Sequence, residues 1–386
     1  MTKPLFTITE ENLDTGMRGY PIGYCDTSHV DPDQGLFYCG RSIREMALKS
    51  PEEVIYLLYH RKEGSVGDVE SFFSEINTQR YLSKKVAWQI KQLPREAHPM
   101  KLFSIALLFL DVFEKTGDYR KDCLNVIAQL PHLVASVINH HAGWGETKDP
   151  SGSYMGSFAD MLNVPGKNLG LEKALSLFNV LHYDHGGGNL SVFVGKAVAS
   201  GLEGLYGSLS SAMCALSGPR HGSANQVTLE FVKELHQALG DDASLEMVED
   251  WLQDRLKRGK LIFGFGHAVL RTEDPRASIL YDFVQKYYSD HPLARIALLL
   301  KEAGPKVLKE NPKVADPYPN VDAISGTMLT AAGLGYPEYF TLLFGMARCV
   351  GVAIQIVYER LEAREGKGTP IIRPKYLQKM PSSRIL

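Results

Sequence analysis

Apolar positions recur at helical spacing along most of this chain. Residues 41–60 (RSIREMALKSPEEVIYLLYH) predict two short amphipathic helices divided at Ser50-Pro51, with Pro51 in the first turn of the second. Residues 99–116 and 118–141 predict two more. Over 224–239, Val227, Phe231, Leu235 and Leu239 form one apolar stripe. Alternating patterns are scarce. Tyr24 to Tyr38 and Lys260 to Phe265 are the only segments that predict short strands. Glycine and proline gather at 142–153, 184–189, 217–223, 264–267 and 316–326, which predict loops. Most of these loops also carry His or Asp, and chemistry concentrates on loops held by a rigid scaffold. No internal repeat or heptad run appears, and the dominant pattern is helical.

Tyr339 to Val357 is apolar enough to raise the question of a membrane span. Arg348 lies near its middle, where insertion costs about 2.5–3.5 kcal/mol. A buried central helix is the better reading. A chain of 386 residues predicts two domains. Lys and Arg total 42 against 44 Asp and Glu, a net charge of −2, so no nucleic-acid or membrane-surface partner is expected. Any bound anion must be held by local clusters. The 5 cysteines are widely spaced with no CxxC, which reads as reduced thiols rather than a disulfide frame or zinc site. The first residues, MTKPLFTITEENLD, lack a signal-peptide core and an Arg-rich transit pattern. A cytoplasmic location is expected; a processed organellar protein also fits.

Several loops carry candidate chemistry. In 216–226, Gly218 and Pro219 build a turn presenting His221, and a helix begins just after it. A helix N-terminus favours the neutral imidazole, which can donate a hydrogen bond to a carbonyl gaining negative charge. In 263–276, Gly264 and Gly266 allow close backbone approach and His267 follows. Asp274 and Pro275 are a good N-cap and first residue for the next helix. Arg276 in its first turn pairs with Glu273 or Asp274, or shares a bound anion with the helix amides. In 316–326, two prolines deliver Asp322 rigidly to a helix start, as a cap or as a general base. Arg348, inside its apolar helix, needs a partner: Glu338, Glu359 or an outside carboxylate. His182 and His185 lack the further ligands a metal site requires, so none is expected. Together these groups ask for a ligand with carboxylates, a carbonyl to polarise and a proton to remove.

GPRHGSANQ, GFGHAVLRTEDPRA and PNVDAISG, in this order, resemble the catalytic segments of citrate synthases. DHGGGNLS, the FGMARCVG helix and the opening GMRGY…TSHVDPDQGLFYCGRSIREM match the same family, so the resemblance spans nearly the whole chain. It implies an almost entirely α-helical fold with a large and a small domain and the active site between them. The large domain would comprise 1–222 plus 338–386 and carry the dimer interface; the small domain would comprise 223–337. The implied reaction is condensation of acetyl-CoA with oxaloacetate and hydrolysis of citryl-CoA, the opening step of the tricarboxylic acid cycle. Asp322 would remove the methyl proton, His221 would stabilise the enol or enolate, and His267 would polarise and protonate the ketone. His185, Arg276, Arg348 and Arg373 would hold oxaloacetate, with Arg373 reaching the partner subunit's site in a homodimer. For CoA, the resemblance implies the backbone of Leu261, Ile262, Gly264, Phe265 and Gly266, and the cations Arg18, Arg271 and Lys313. No cofactor beyond these substrates is implied. Two other readings share the motifs. One is a 2-methylcitrate synthase using propionyl-CoA; the other is an inactive binding homologue, which the intact triad argues against.

Overall fold

The computed structural model describes residues 4–168, 170–267, 269–310, 314 and 316–377. An antiparallel hairpin, β1 (Ser28–Asp31) and β2 (Gly35–Tyr38), pairs Ser28 with Tyr38, and β3 (Arg41–Ser42) extends it in the order β1-β2-β3. Asp31 closes the turn by accepting the amides of Asp33 and Gln34 at 2.9 Å each. The rest is helical. The helices are α1 (Ile43–Met46), α2 (Pro51–His60), α3 (Val66–Ile76), α4 (Lys84–Lys91), α5 (Pro99–Phe113), α6 (Tyr119–Ala142), α7 (Tyr154–Met161), α8 (Leu171–His182), α9 (Leu190–Ser200) and α10 (Leu205–Leu216). They continue with α11 (Ala224–Leu239), α12 (Leu245–Lys257), α13 (Pro275–Tyr288), α14 (Pro292–Lys309), α15 (Asp322–Ala331) and α16 (Phe340–Leu361).

Local chemistry sets these boundaries. The Ser50 hydroxyl and Glu53 carboxylate cap each other's backbone amides at the start of α2, with Pro51 in its first turn. Asp118 caps α6, and Gly143 ends it in the left-handed region at φ 70°. On α11, Phe231 and Leu235 are buried as the stripe predicts, but Val227 and Leu239 are only half-buried. Thr228, Leu229 and Val232 are buried instead, because α11 packs against both α14 and α15 and needs a wider face. Lys260 to Phe265 is not a strand. It forms a single antiparallel bridge, Phe265 to Pro319, whose consequence appears at the site.

Helices α11 to α15 pack chiefly on one another, α12 on α14 and α13 on α15. Helices α5, α6, α8, α9 and α10 gather around α16. The apolar stretch of α16 is the only one among the described residues with the length and hydropathy of a membrane span, and 94% of it is buried inside the protein. It is therefore the central core helix expected from the sequence. The two groups meet where α8 touches α15, where α11 touches α16, and where Gly35 lies under Pro275.

Candidate active site

The loop before α13 and the loop before α15 are sewn together. Gly266 N–H donates to the Tyr318 carbonyl at 2.9 Å, and Asn320 N–H donates to the Gly264 carbonyl at 2.9 Å. The Asn320 side-chain amide donates to the Gly266 carbonyl at 2.8 Å, and its oxygen accepts Asp322 N–H at 3.0 Å. Gly264 has φ 85°, and a Cβ there would stand 2.9 Å from the Ala323 Cα. Only glycine fits both the conformation and the space. This clamp joins His267 to Asp322.

The His267 Nδ1 accepts two backbone amides, from Val269 at 3.1 Å and Leu270 at 2.9 Å. Nδ1 is thus unprotonated, and Nε2–H is the donor. Burial, then the Arg276 guanidinium, lowers its pKa, so the ring is neutral at pH 7. His221 is fixed the opposite way round. Its Nε2 accepts Ser191 N–H at 3.2 Å and lies 3.0 Å from the Ser191 hydroxyl, leaving Nδ1–H to donate. Burial, then the Arg348 guanidinium, holds it down to about 4. The neutral form expected from the helix start thus has two further causes. Asp322 begins α15 with its own amide already satisfied, and burial pushes its carboxyl up to about 6 against the pull of Arg276. A carboxylate so placed is a stronger base than usual, and both imidazoles are donors.

The cations are buried. Arg276 is 4% exposed and forks onto Asp274, Nε to Oδ1 at 3.1 Å and Nη2 to Oδ2 at 2.8 Å. Of its two sequence partners, Asp274 is the real one, and Nη1 has no hydrogen-bond partner among the described residues. Arg348 is 1% exposed; its Nε donates to the His182 carbonyl at 3.0 Å and its face lies over the Phe344 ring at 4.8 Å. Its Nη1 is buried without a partner among the described residues. Neither predicted internal partner serves it. Glu359 pairs with Lys196 at 2.6 Å, and Glu338 lies near His141. An outside carboxylate is the remaining option from the sequence. His185 feels both cations and has its ring centroid 5.6 Å from that of His267; burial, Arg276 and Arg348 keep it neutral. His182 is a core residue, its Nδ1 2.7 Å from the Phe178 carbonyl.

Other sequence candidates stand apart. Arg373 is exposed and is not among the charges that shift the site's imidazoles or Asp322. Arg18 is exposed, as is Leu261, while Ile262, Gly264, Phe265 and Gly266 are half-buried. The Phe265 ring fills the space over Gly304. Arg271 is exposed, but its Nη1 donates to the Leu270 carbonyl at 2.8 Å, so it is partly engaged within its own loop. Lys313 lies outside the described residues. Sequence reasoning missed Ser191, Asn320 and Asp184. The motifs DHGGGNLS and PYPN contain them, but single residues gave no sign of what they bind.

Residues 16–375 match the family described as citrate synthase, C-terminal domain. The chain is 33% identical to the mitochondrial citrate synthase of Daucus carota, across 96% of this chain and 83% of that one. It is 32% identical to the mitochondrial 2-methylcitrate synthase of Yarrowia lipolytica, across 93% and 82%. The crystal structure of citrate synthase from Thermotoga maritima MSB8 is similar with a TM-score of 0.79 at 28% identity, covering 95% of this chain and 96% of that one. In sequence and in its all-α architecture of a large and a small helical domain, the chain belongs to the citrate synthase family.

Proposed function

We propose that this protein condenses acetyl-CoA with oxaloacetate and hydrolyses the resulting citryl-CoA to citrate and CoA. One observation supports the reading: Asp322, His221 and His267 each feel the charge of Arg276 or Arg348, two buried guanidiniums, and the two imidazoles have fixed and opposite tautomers. Asp322 takes a proton from the acetyl methyl group. The electron pair moves into the thioester, and His221 Nδ1–H stabilises the oxygen as an enol or enolate. The new carbon nucleophile attacks the oxaloacetate ketone, while His267 Nε2–H polarises its oxygen and protonates it. Water then cleaves the thioester. Arg276 and Arg348 hold the carboxylates together with His185. Burial strengthens each of these hydrogen bonds.

The small domain runs from 223 to 337 and the large domain is the rest, in line with the packing of α11 to α15 on one another. A homodimer completes each site with Arg373 of the other chain. The exposed row Ile105, Leu108 and Val112 along α5 supports a covered face. CoA lies along Leu261 to Gly266 with Arg18, Arg271 and Lys313 near its phosphates. The location is cytoplasmic, and no further cofactor is needed.

A second reading has its own support in the Yarrowia lipolytica relative: propionyl-CoA as the acyl donor. One methylene discriminates by only about 1–3 kcal/mol in an apolar pocket. Release of the CoA thiol, measured with both acyl-CoAs, decides the matter. A higher kcat/KM for acetyl-CoA is expected, and a higher one for propionyl-CoA refutes the first reading. Asp322→Ala should abolish release with either; unchanged activity would refute Asp322 as the base.

A further inference from the structure

The Asp184 carboxylate is fully buried, at 0% exposure, beside the substrate histidine. Its Oδ1 accepts His185 N–H at 2.9 Å and the Gln355 side-chain amide at 2.7 Å. Its Oδ2 accepts the Thr27 hydroxyl. No Lys or Arg is paired with it among the described residues, although Arg348 feels its charge. Gln355 cannot turn over, because its oxygen accepts from Lys196 Nζ at 3.2 Å, and Lys196 is held by Glu359 at 2.6 Å. A buried relay therefore runs from Glu359 through Lys196 and Gln355 to Asp184 and the His185 backbone. Thr27, beside the hairpin, and Gln355, on α16, brace it from two sides. Gly351 of α16 lies so close that a Cβ there would be 2.9 Å from the Asp184 Cβ.

A neutral side chain could accept most of these hydrogen bonds without burying a charge, which is unfavourable unless it is compensated. Three donors compensate it: the His185 amide, the Gln355 side-chain amide and the Thr27 hydroxyl. We propose that Asp184 is a positioning residue of the dicarboxylate subsite: it fixes the His185 loop before oxaloacetate arrives. This rests on the proposed condensation and adds a residue to its machinery. Asp184 touches no substrate; it acts through His185.

Four measurements on the full-length protein test this: kcat, the KM for each substrate, thermal midpoint, and oxaloacetate binding by calorimetry without acyl-CoA. Asp184→Ala should raise the oxaloacetate KM and Kd at least about tenfold while kcat and the acetyl-CoA KM stay within about threefold. Asp184→Asn keeps the shape and the Oδ1 acceptor, and should recover most of the loss. Gln355→Leu removes one donor and should move the oxaloacetate Kd in the same direction by a smaller factor, so the test stands even where Asp184→Ala does not fold. An unchanged oxaloacetate Kd in folded variants overturns the proposal. So does a loss shared equally by kcat and both KM values and not recovered by Asp184→Asn, since that marks general damage. Failure of the wild-type protein to bind oxaloacetate would instead remove the functional reading on which the proposal rests, and the proposal with it.

Discussion

Replacing Arg348 by methionine should leave the empty protein as stable as before, or more so, while removing its response to dicarboxylates. Burial lowers the Arg348 pKa from the usual guanidinium value to about 10, against the opposing field of Asp184. At about 1.4 kcal/mol per pKa unit, holding this group charged in the fold costs about 3 kcal/mol. The folded value lies below the unfolded one, so the penalty is fully present below pH 10, including neutral pH, and fades only above pH 10. The side chain returns part of this through one hydrogen bond to His182 and its contact with Phe344, each worth about 1 kcal/mol. Methionine is of similar length and fills most of the space. Asp184 keeps its three donors when the guanidinium is gone. The balance favours the variant by about 1 kcal/mol. The assay is denaturant unfolding with and without oxaloacetate. At about a hundred times Kd the wild type should gain about 2.7 kcal/mol, and the variant nothing. A variant destabilised by about 3 kcal/mol without ligand would mean that Arg348 has a strong internal partner, and equal protection of both proteins would mean that it holds no carboxylate. Either result refutes the reasoning.

Asp322, with its carboxyl near 6, should make the rate fall about tenfold between pH 8 and pH 5, whereas an ordinary carboxylate near 3.8 would lose under about 10%; a pH–rate profile reads the difference. Its folded value lies above the unfolded one, so ionised Asp322 opposes folding above pH 6 and the penalty fades as pH falls toward 4. Asp322→Asn should therefore be more stable at pH 8 by about 1–2 kcal/mol in thermal or urea unfolding. Gly264→Ala forces a left-handed alanine against Ala323, which should cost about 1–3 kcal/mol in urea unfolding and lower kcat more than tenfold, in rough terms, by parting His267 from Asp322. Arg373→Ala and Asp322→Ala should each be inactive alone; refolded together in equal amounts they should regain about a quarter of wild-type activity, since half the dimers would carry one intact site. No recovery would place Arg373 in its own chain's site or outside the chemistry.

Local signals were readable in the sequence and long-range ones were not. Ser50-Pro51, Asp118 and Asp274-Pro275 announce helix starts because a cap needs only neighbours. The apolar row of α16 announced a core helix, and its lone arginine announced a buried charge looking for a carboxylate. Lys260 to Phe265 misled because its residues suit a strand, yet they meet only one residue of a distant loop. The width of the α11 buried face depended on two packing partners that no periodicity names. Asp184 was silent for a similar reason: its donors Thr27 and Gln355 lie 157 and 171 residues away. The opposite tautomers of His221 and His267 depend on which backbone amides approach each ring, and sequence cannot show that.

In the proposed reaction, the clamp between the loops of Phe265 and Pro319 would bear on fidelity. His267 and Asp322 belong to one stitched piece, while Thr341 of α16 holds the Gly222 carbonyl, and so the His221 turn, on the other side. Any shift of α11 to α15 against the core would carry the proposed base away from the imidazole proposed to stabilise the thioester's charge. In such a displaced state Asp322 could still approach a methyl group, but the carbanion would find no donor. Idle exchange of acetyl protons with solvent, and wasteful loss of the thioester, would then be suppressed without any dedicated safeguard, simply because two short loops travel as one.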